Sequence, residues 1–123
     1  MATIAFTKDP LTNDSSARRR VDIITWVVTG AGADDGSPYV SYFRPDKTIQ
    51  LIGTFSSTTV VIEGSNDGTN WATLTDADGN ACSFTAPDMV FVRESPKFVR
   101  PNATGGTGSI TVILVAATMG RDW

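Results

Sequence analysis

The sequence predicts an all-β protein in which eight or nine short antiparallel strands close into a sandwich or barrel. Three observations carry this expectation. Thr (17), Val (11) and Ile (8) supply 36 of the 123 residues, against only 4 Leu. Such β-branched side chains lose rotamer freedom on a helix and fit a pleated sheet. Gly (11) and Pro (6) fall as punctuation between short apolar runs, giving turn signals every 8–12 residues or so, the spacing of all-β sandwiches and barrels. Finally, no stretch repeats apolar residues at helical i, i+3, i+4, i+7 spacing.

The strands follow in order. Residues 1–20 are polar, contain Pro10 and end in Arg18-Arg19-Arg20, so they are expected to form an arm outside the core. The run Val21 to Thr29 (VDIITWVVT) is a strand, expected to be buried on both faces in its middle. A Gly-rich loop to Pro38 precedes a short aromatic segment, Tyr39 to Phe43, stopped by Pro45. From Thr48 to Phe55 the pattern alternates, with Ile49, Leu51, Gly53 and Phe55 on one side. Thr59 to Ser65 alternates again. Trp71–Leu74, Ala81–Phe84, Met89–Arg93 and Phe98–Asn102 are shorter. The run Ser109 to Ala117 is the clearest, with Ile110, Val112 and Leu114 opposite Thr111, Ile113 and Val115. One domain over 21–118, with a short tail at 119–123, is the expected organisation.

Composition excludes several functions. There is no His and one Cys. A Ser-His-Asp triad, a Cys-His pair, a His-bound metal, an intramolecular disulfide and a Cys-rich metal site are therefore all closed to this chain. The net charge of −3 argues against a protein that coats nucleic acid. No apolar run reaches the ~18–20 residues of a membrane span, and the first residues lack the apolar segment of a secretion signal. The expectation is a protein that is not an enzyme, needs no cofactor, and binds neither nucleic acid nor membrane.

The motifs read structurally. Asp76-Ala-Asp78-Gly79-Asn80 begins like a calcium loop, but the sixth position is Ala81 and the twelfth Pro87, where Gly and Glu are required; a polar turn is expected. Asn66-Asp67-Gly68 is a hairpin cue. Cys82, on a strand and with no base to activate it, is expected to behave as a buried hydrophobe. Asp34 and Asp35 are adjacent in a loop, which does not make an acid/base pair. Trp26 is expected in the core and Trp71 over one of its ends. The candidates for a partner interface are the basic cluster Arg18, Arg19 and Arg20, the aromatics Tyr39, Tyr42 and Phe43, and the final residue Trp123.

Two resemblances emerge in the second half. The stretch Val60-Val-Ile-Glu-Gly-Ser-Asn-Asp-Gly-Thr-Asn-Trp71-Ala-Thr-Leu74, then Lys97-Phe-Val-Arg-Pro101 and Ile110 to Val115, resembles the core pattern of discoidin-like (coagulation factor type C) modules. These are eight-stranded jelly rolls, many of which bind carbohydrate or lipid. The pair of terminal cysteines usual in those modules is missing. The same half resembles small proteins of tailed bacteriophages, through Gly64-Ser-Asn-Asp-Gly-Thr-Asn-Trp71, Phe98-Val-Arg-Pro101 and Gly106-Thr-Gly-Ser-Ile-Thr-Val112. Among these are capsid cement (decoration) proteins. That resemblance implies a jelly-roll sandwich on the outer surface of a virion, with a major capsid protein as partner and a homodimer as the assembly. Alternatives are a carbohydrate-binding module and a tail or head-tail component.

Overall fold

The computed structural model describes residues 2–10, 20–41 and 46–118. Those residues hold twelve strands and no helix. In order they are β1 (Thr3–Ile4), β2 (Thr7–Pro10), β3 (Arg20–Thr29), β4 (Asp35–Gly36), β5 (Tyr39–Val40), β6 (Asp46–Thr54), β7 (Thr59–Ser65), β8 (Ala72–Thr73), β9 (Ser83–Phe84), β10 (Asp88–Val92), β11 (Phe98–Thr104) and β12 (Ser109–Thr118). They form two sheets. One runs β10-β6-β12-β3-β2; the other runs β1-β4-β11-β7-β8, with β5 on β11 and β9 on β7.

The pairing is nested. Val28 meets Ile110, Tyr39 meets Val99, Ile49 meets Val90, and Val60 meets Phe84. Each successive pair lies inside the one before, so the path is one long antiparallel hairpin rolled so that its rungs alternate between the sheets. That is a jelly roll, an all-β antiparallel sandwich, as expected.

The core lies between the sheets. From the five-stranded sheet come Ile24, Trp26, Val28, Ile49, Leu51, Ile110, Val112 and Leu114; from the other come Val60, Ile62, Val99 and Ala103. Period-two alternation aims these side chains inward. Trp26 is fully buried, and its indole N–H donates to the Ser37 carbonyl at 3.0 Å. Without that acceptor, burying the indole would cost roughly the 1–3 kcal/mol of an unsatisfied polar group.

Several features differ from the sequence reading. Within the expected arm, residues 3–4 and 7–10 are strands. Ile4 and Phe6 pack on the core, and the Phe6 ring lies edge-on to Trp26 and Tyr39 at 5.8 and 5.9 Å. Polar flanks conceal these two apolar residues in the sequence. β3 is buried on one face only: Ile24, Trp26 and Val28 are enclosed, but Val27 is 50% exposed. Lys47 is fully buried on β6, two residues before Ile49, with Nζ 3.5 Å from Ser95 Oγ. Burial pulls its pKa from 10.5 down to about 8, against the opposing charges of Asp46 and Glu94.

Three loops are tied together at one end. The Thr58 hydroxyl, fully buried, donates to the Gly105 carbonyl at 2.9 Å and accepts from the Gly108 amide at 2.8 Å. Gly30 N–H donates to the Gly108 carbonyl at 3.0 Å. The approach is so close that a β-carbon on Gly30 would lie 1.9 Å from the Gly105 oxygen, which is why glycine stands there.

Candidate functional site

Partner candidates named from the sequence divide into two groups. Arg18, Arg19, Tyr42, Phe43 and Trp123 lie outside the described residues, as does the side chain of Arg20, whose backbone opens β3. The described strand ends that flank them are neighbours. Pro10 pairs with Asp22, Arg20 with Thr118, and Asp46 with Ala117. The connections 11–19 and 42–45 and the tail 119–123 thus all attach at one end of the five-stranded sheet. Tyr39 is different and must be withdrawn as an interface residue. It is 4% exposed, and its hydroxyl donates to Asp22 at 2.7 Å. A tyrosine with a buried acceptor beneath it belongs to the core.

The outer face of the seven-stranded sheet is charged. Arg100 on β11 donates to Glu63 at 3.0 Å and to Asp35 at 3.1 Å, and its guanidinium lies 4.0 Å from the Trp71 ring centre. Register places Arg100 beside Glu63, which itself lies beside Thr73. The planar guanidinium can stack and form ion pairs at once. Trp71 therefore lies across the outside of this sheet rather than over an end of the core. Asp34 and Asp35 diverge: Asp34 accepts from the Thr29 amide and hydroxyl, while Asp35 serves Arg100 and Thr3.

An open groove of about 410 Å³ lies beside this face, lined by residues including Ser65, Asn66, Asn70 and Glu94. Several of its polar atoms already have partners. Asn66 accepts from the Lys97 amide, Asn70 donates to Asp67, and both Glu94 oxygens accept from Thr75. Burial opposes ionisation of Glu94, but the Thr75 hydrogen bonds outweigh it and hold the carboxyl below its usual range. In the hairpin at the groove's rim, the Asp67 carboxylate accepts from the Asn70 and Thr69 amides and the Asn70 side chain. These bonds hold it well below the carboxylate range. Gly68, at φ 79°, completes the turn. These hydrogen bonds serve the fold.

Asp76 shapes a turn and Cys82 lies in the core. Asp76 accepts from the Asp78 and Asn80 amides, each at 2.9 Å, the polar turn expected there. Cys82 is fully buried, and burial, with the charges of Asp76 and Glu94, pushes its thiol up to about 11. Among the described residues, no group of three or more His, Cys, Asp or Glu side chains could hold a metal ion.

The outer face of the five-stranded sheet was missed by sequence reasoning. Val27, Ile52, Met89, Phe91 and Val115, between 36% and 56% exposed, all project from it. The described residues facing outward from β3, β12 and β6 include a single charge, Asp46, at the margin. The signal was present in the sequence: runs such as Val21–Val28 and Ile110–Val115 are apolar on both parities, and one sandwich can bury only one of them.

No protein-family model matches the chain, and no curated protein matches it. Solved structures do. SPBc2 prophage-derived protein YomS is 14% identical with a TM-score of 0.61, covering 79% of this chain and 94% of that one. A cupin 2 domain-containing protein from Halorhodospira halophila is 9% identical at TM-score 0.47, covering 96% and 68%. The iron form of HppE is 13% identical at 0.44, covering 90% and 50%. At this level of identity the likeness to YomS speaks of architecture, and the two chains share a fold over nearly the whole of YomS.

Proposed function

We propose that this chain is a virion structural protein, a capsid cement protein that binds the outside of a shell of major capsid protein and stabilises it by bridging neighbouring subunits. The observation that carries the reading is the disposition of its surfaces. The core lies between the sheets, the groove beside the seven-stranded sheet has several of its polar atoms engaged internally, and two broad outer faces and one sheet end remain for contact. A rigid block of this kind works by contact area, without catalysis or cofactor. The shared fold with a prophage-derived protein supports a phage origin. The resemblance of Gly64–Trp71 and Phe98–Pro101 to small phage proteins points the same way.

In this reading the shell contact is made by the segments bearing Arg18, Arg19, Arg20, Tyr42, Phe43 and Trp123, all joined to one end of the five-stranded sheet. Modest contacts repeated over a symmetric lattice add up by avidity. The net charge of −3 suits a place outside the shell, away from packaged nucleic acid. A carbohydrate module is the less supported reading, because Trp71, between the groove residues Asn70 and Ala72 in the sequence, has one ring face taken by Arg100.

The test is quantitative densitometry of purified source particles. A near-stoichiometric ratio to the shell protein is expected; a few copies per particle overturns the cement role in favour of a tail or head-tail position. Purified chain lacking residues 119–123 should bind undecorated shells more weakly than the full chain while melting at the same temperature.

A further inference from the structure

We infer that the outer face of the five-stranded sheet is a homodimer interface, on which a second copy of this chain packs sheet against sheet about a two-fold axis. The argument starts from what water tolerates. A sheet with one face on a core normally shows a polar second face, because alternation sends polar side chains outward. Here the outward positions carry Val27, Ile52, Met89, Phe91 and Val115. The register joins them into one patch. Phe91, Thr48, Val115 and Ile23 form one row across the sheet; Met89, Gln50, Ile113 and Thr25 form the next; Ile52, Thr111 and Val27 form a third. Seven of these eleven residues are apolar and the rest are Thr or Gln, and a largely apolar exposed surface of this extent marks an interaction site.

Two further observations select a second copy as the occupant. The first is charge. On β10, β6, β12 and β3 the three rows contain no charged residue, and Asp9 of β2, beside Ile23, falls on the outermost strand, so a two-fold axis through the central β12 keeps that charge at the rim. The opposite face of the sandwich, with Arg100, Glu63 and Asp35, would instead have to desolvate its ion pairs. The second is area. Five strands at ~4.8 Å spacing, over about 20 Å of strand length, give roughly 500 Å² per copy. Two copies then cover about 1,000 Å², the lower bound of specific protein interfaces. Facing sheets about 10 Å apart would interdigitate these side chains as in a sandwich core. The inference does not depend on shell binding, since it concerns the free protein.

The experiment is sedimentation equilibrium of the full chain at micromolar concentration, beside Val115→Lys, Val27→Lys and Met89→Lys on this face and Val40→Lys on the other sheet. Val40 is 44% exposed and serves as the control. The expected mass is twice 13.1 kDa for the wild type and for Val40→Lys. The three face variants should dissociate at least a hundredfold more readily while keeping cooperative melting. Three sites on three strands guard against one variant failing to fold. A wild-type chain monomeric at ~100 μM, which would leave the face to a different protein, overturns the inference. So does a set of folded face variants that dimerise like the wild type.

Discussion

Replacing Thr58 by Val removes one hydroxyl and almost no volume, which isolates the knot that ties three loops of the jelly roll. That hydroxyl makes two bonds, to the Gly105 carbonyl at 2.9 Å and from the Gly108 amide at 2.8 Å. In the variant the Gly108 amide is left buried without its acceptor, which costs about 1–3 kcal/mol. The Gly105 carbonyl lies in a more exposed residue and can turn to water, so its lost bond adds only about 1 kcal/mol. The sum is about 2–4 kcal/mol, or a fall in melting temperature of roughly 6–15 °C for a domain of this size. Thr58→Ser keeps both bonds and loses one buried methyl, about 0.8 kcal/mol. Urea denaturation of the three proteins, read by tryptophan fluorescence, measures the differences. A Val variant within ~0.5 kcal/mol of wild type, or a Ser variant as damaged as the Val variant, would refute the assignment of this energy to the hydroxyl.

Lys47 gives stability a pH dependence in the alkaline range. Below pH 8 the amine is charged in both states, and the folded protein bears the full cost of burying it. Between about 8 and 10.5 the folded state releases the proton while the unfolded chain keeps it, so the stability of the wild type rises with pH. Lys47→Met lacks this titration; the difference in urea midpoint between the two proteins should change steadily from pH 7.5 to 10, and a constant difference counts against a buried, titrating amine. Cys82, enclosed and with its thiol pushed up to about 11, should resist an aromatic disulfide reagent at pH 8 in native protein and react with one equivalent in denaturant. Prompt native labelling would show that the segment before β9 opens.

Strand positions were largely legible because two local signals agree. The run Thr59–Ser65 is a strand over those residues, and Ser109–Ala117 extends by only one. There, β-branched residues end against Gly or Asn turns, and turn chemistry is local. The aim of some side chains was harder to read. Tyr39 looks like a surface aromatic after a Gly-rich loop, and only the distant Asp22 turns it inward. Trp71 is drawn onto a sheet face by Arg100, 29 positions later in the chain. Lys47 and Asp22 are inward by parity alone, against their polarity. The exposed apolar face was present in the sequence but was read as double burial, since a run of Val and Ile does not say whether its second cover belongs to the same molecule.

The nested pairing also sets the order in which this protein can be made. β12 is the last of the twelve strands and lies in the middle of its sheet, between β3 and β6. Until the ribosome has released Ser109–Thr118, both neighbours wait as open edges, and β3 has waited since about ninety residues earlier. Closure of the sheet therefore waits for Ser109–Thr118, and contact between segments so distant in the chain is slow to form. During that interval the nascent chain shows two apolar, β-prone strands to its surroundings. A truncation just before Ser109 would leave β3 and β6 without the strand between them, a product prone to aggregate.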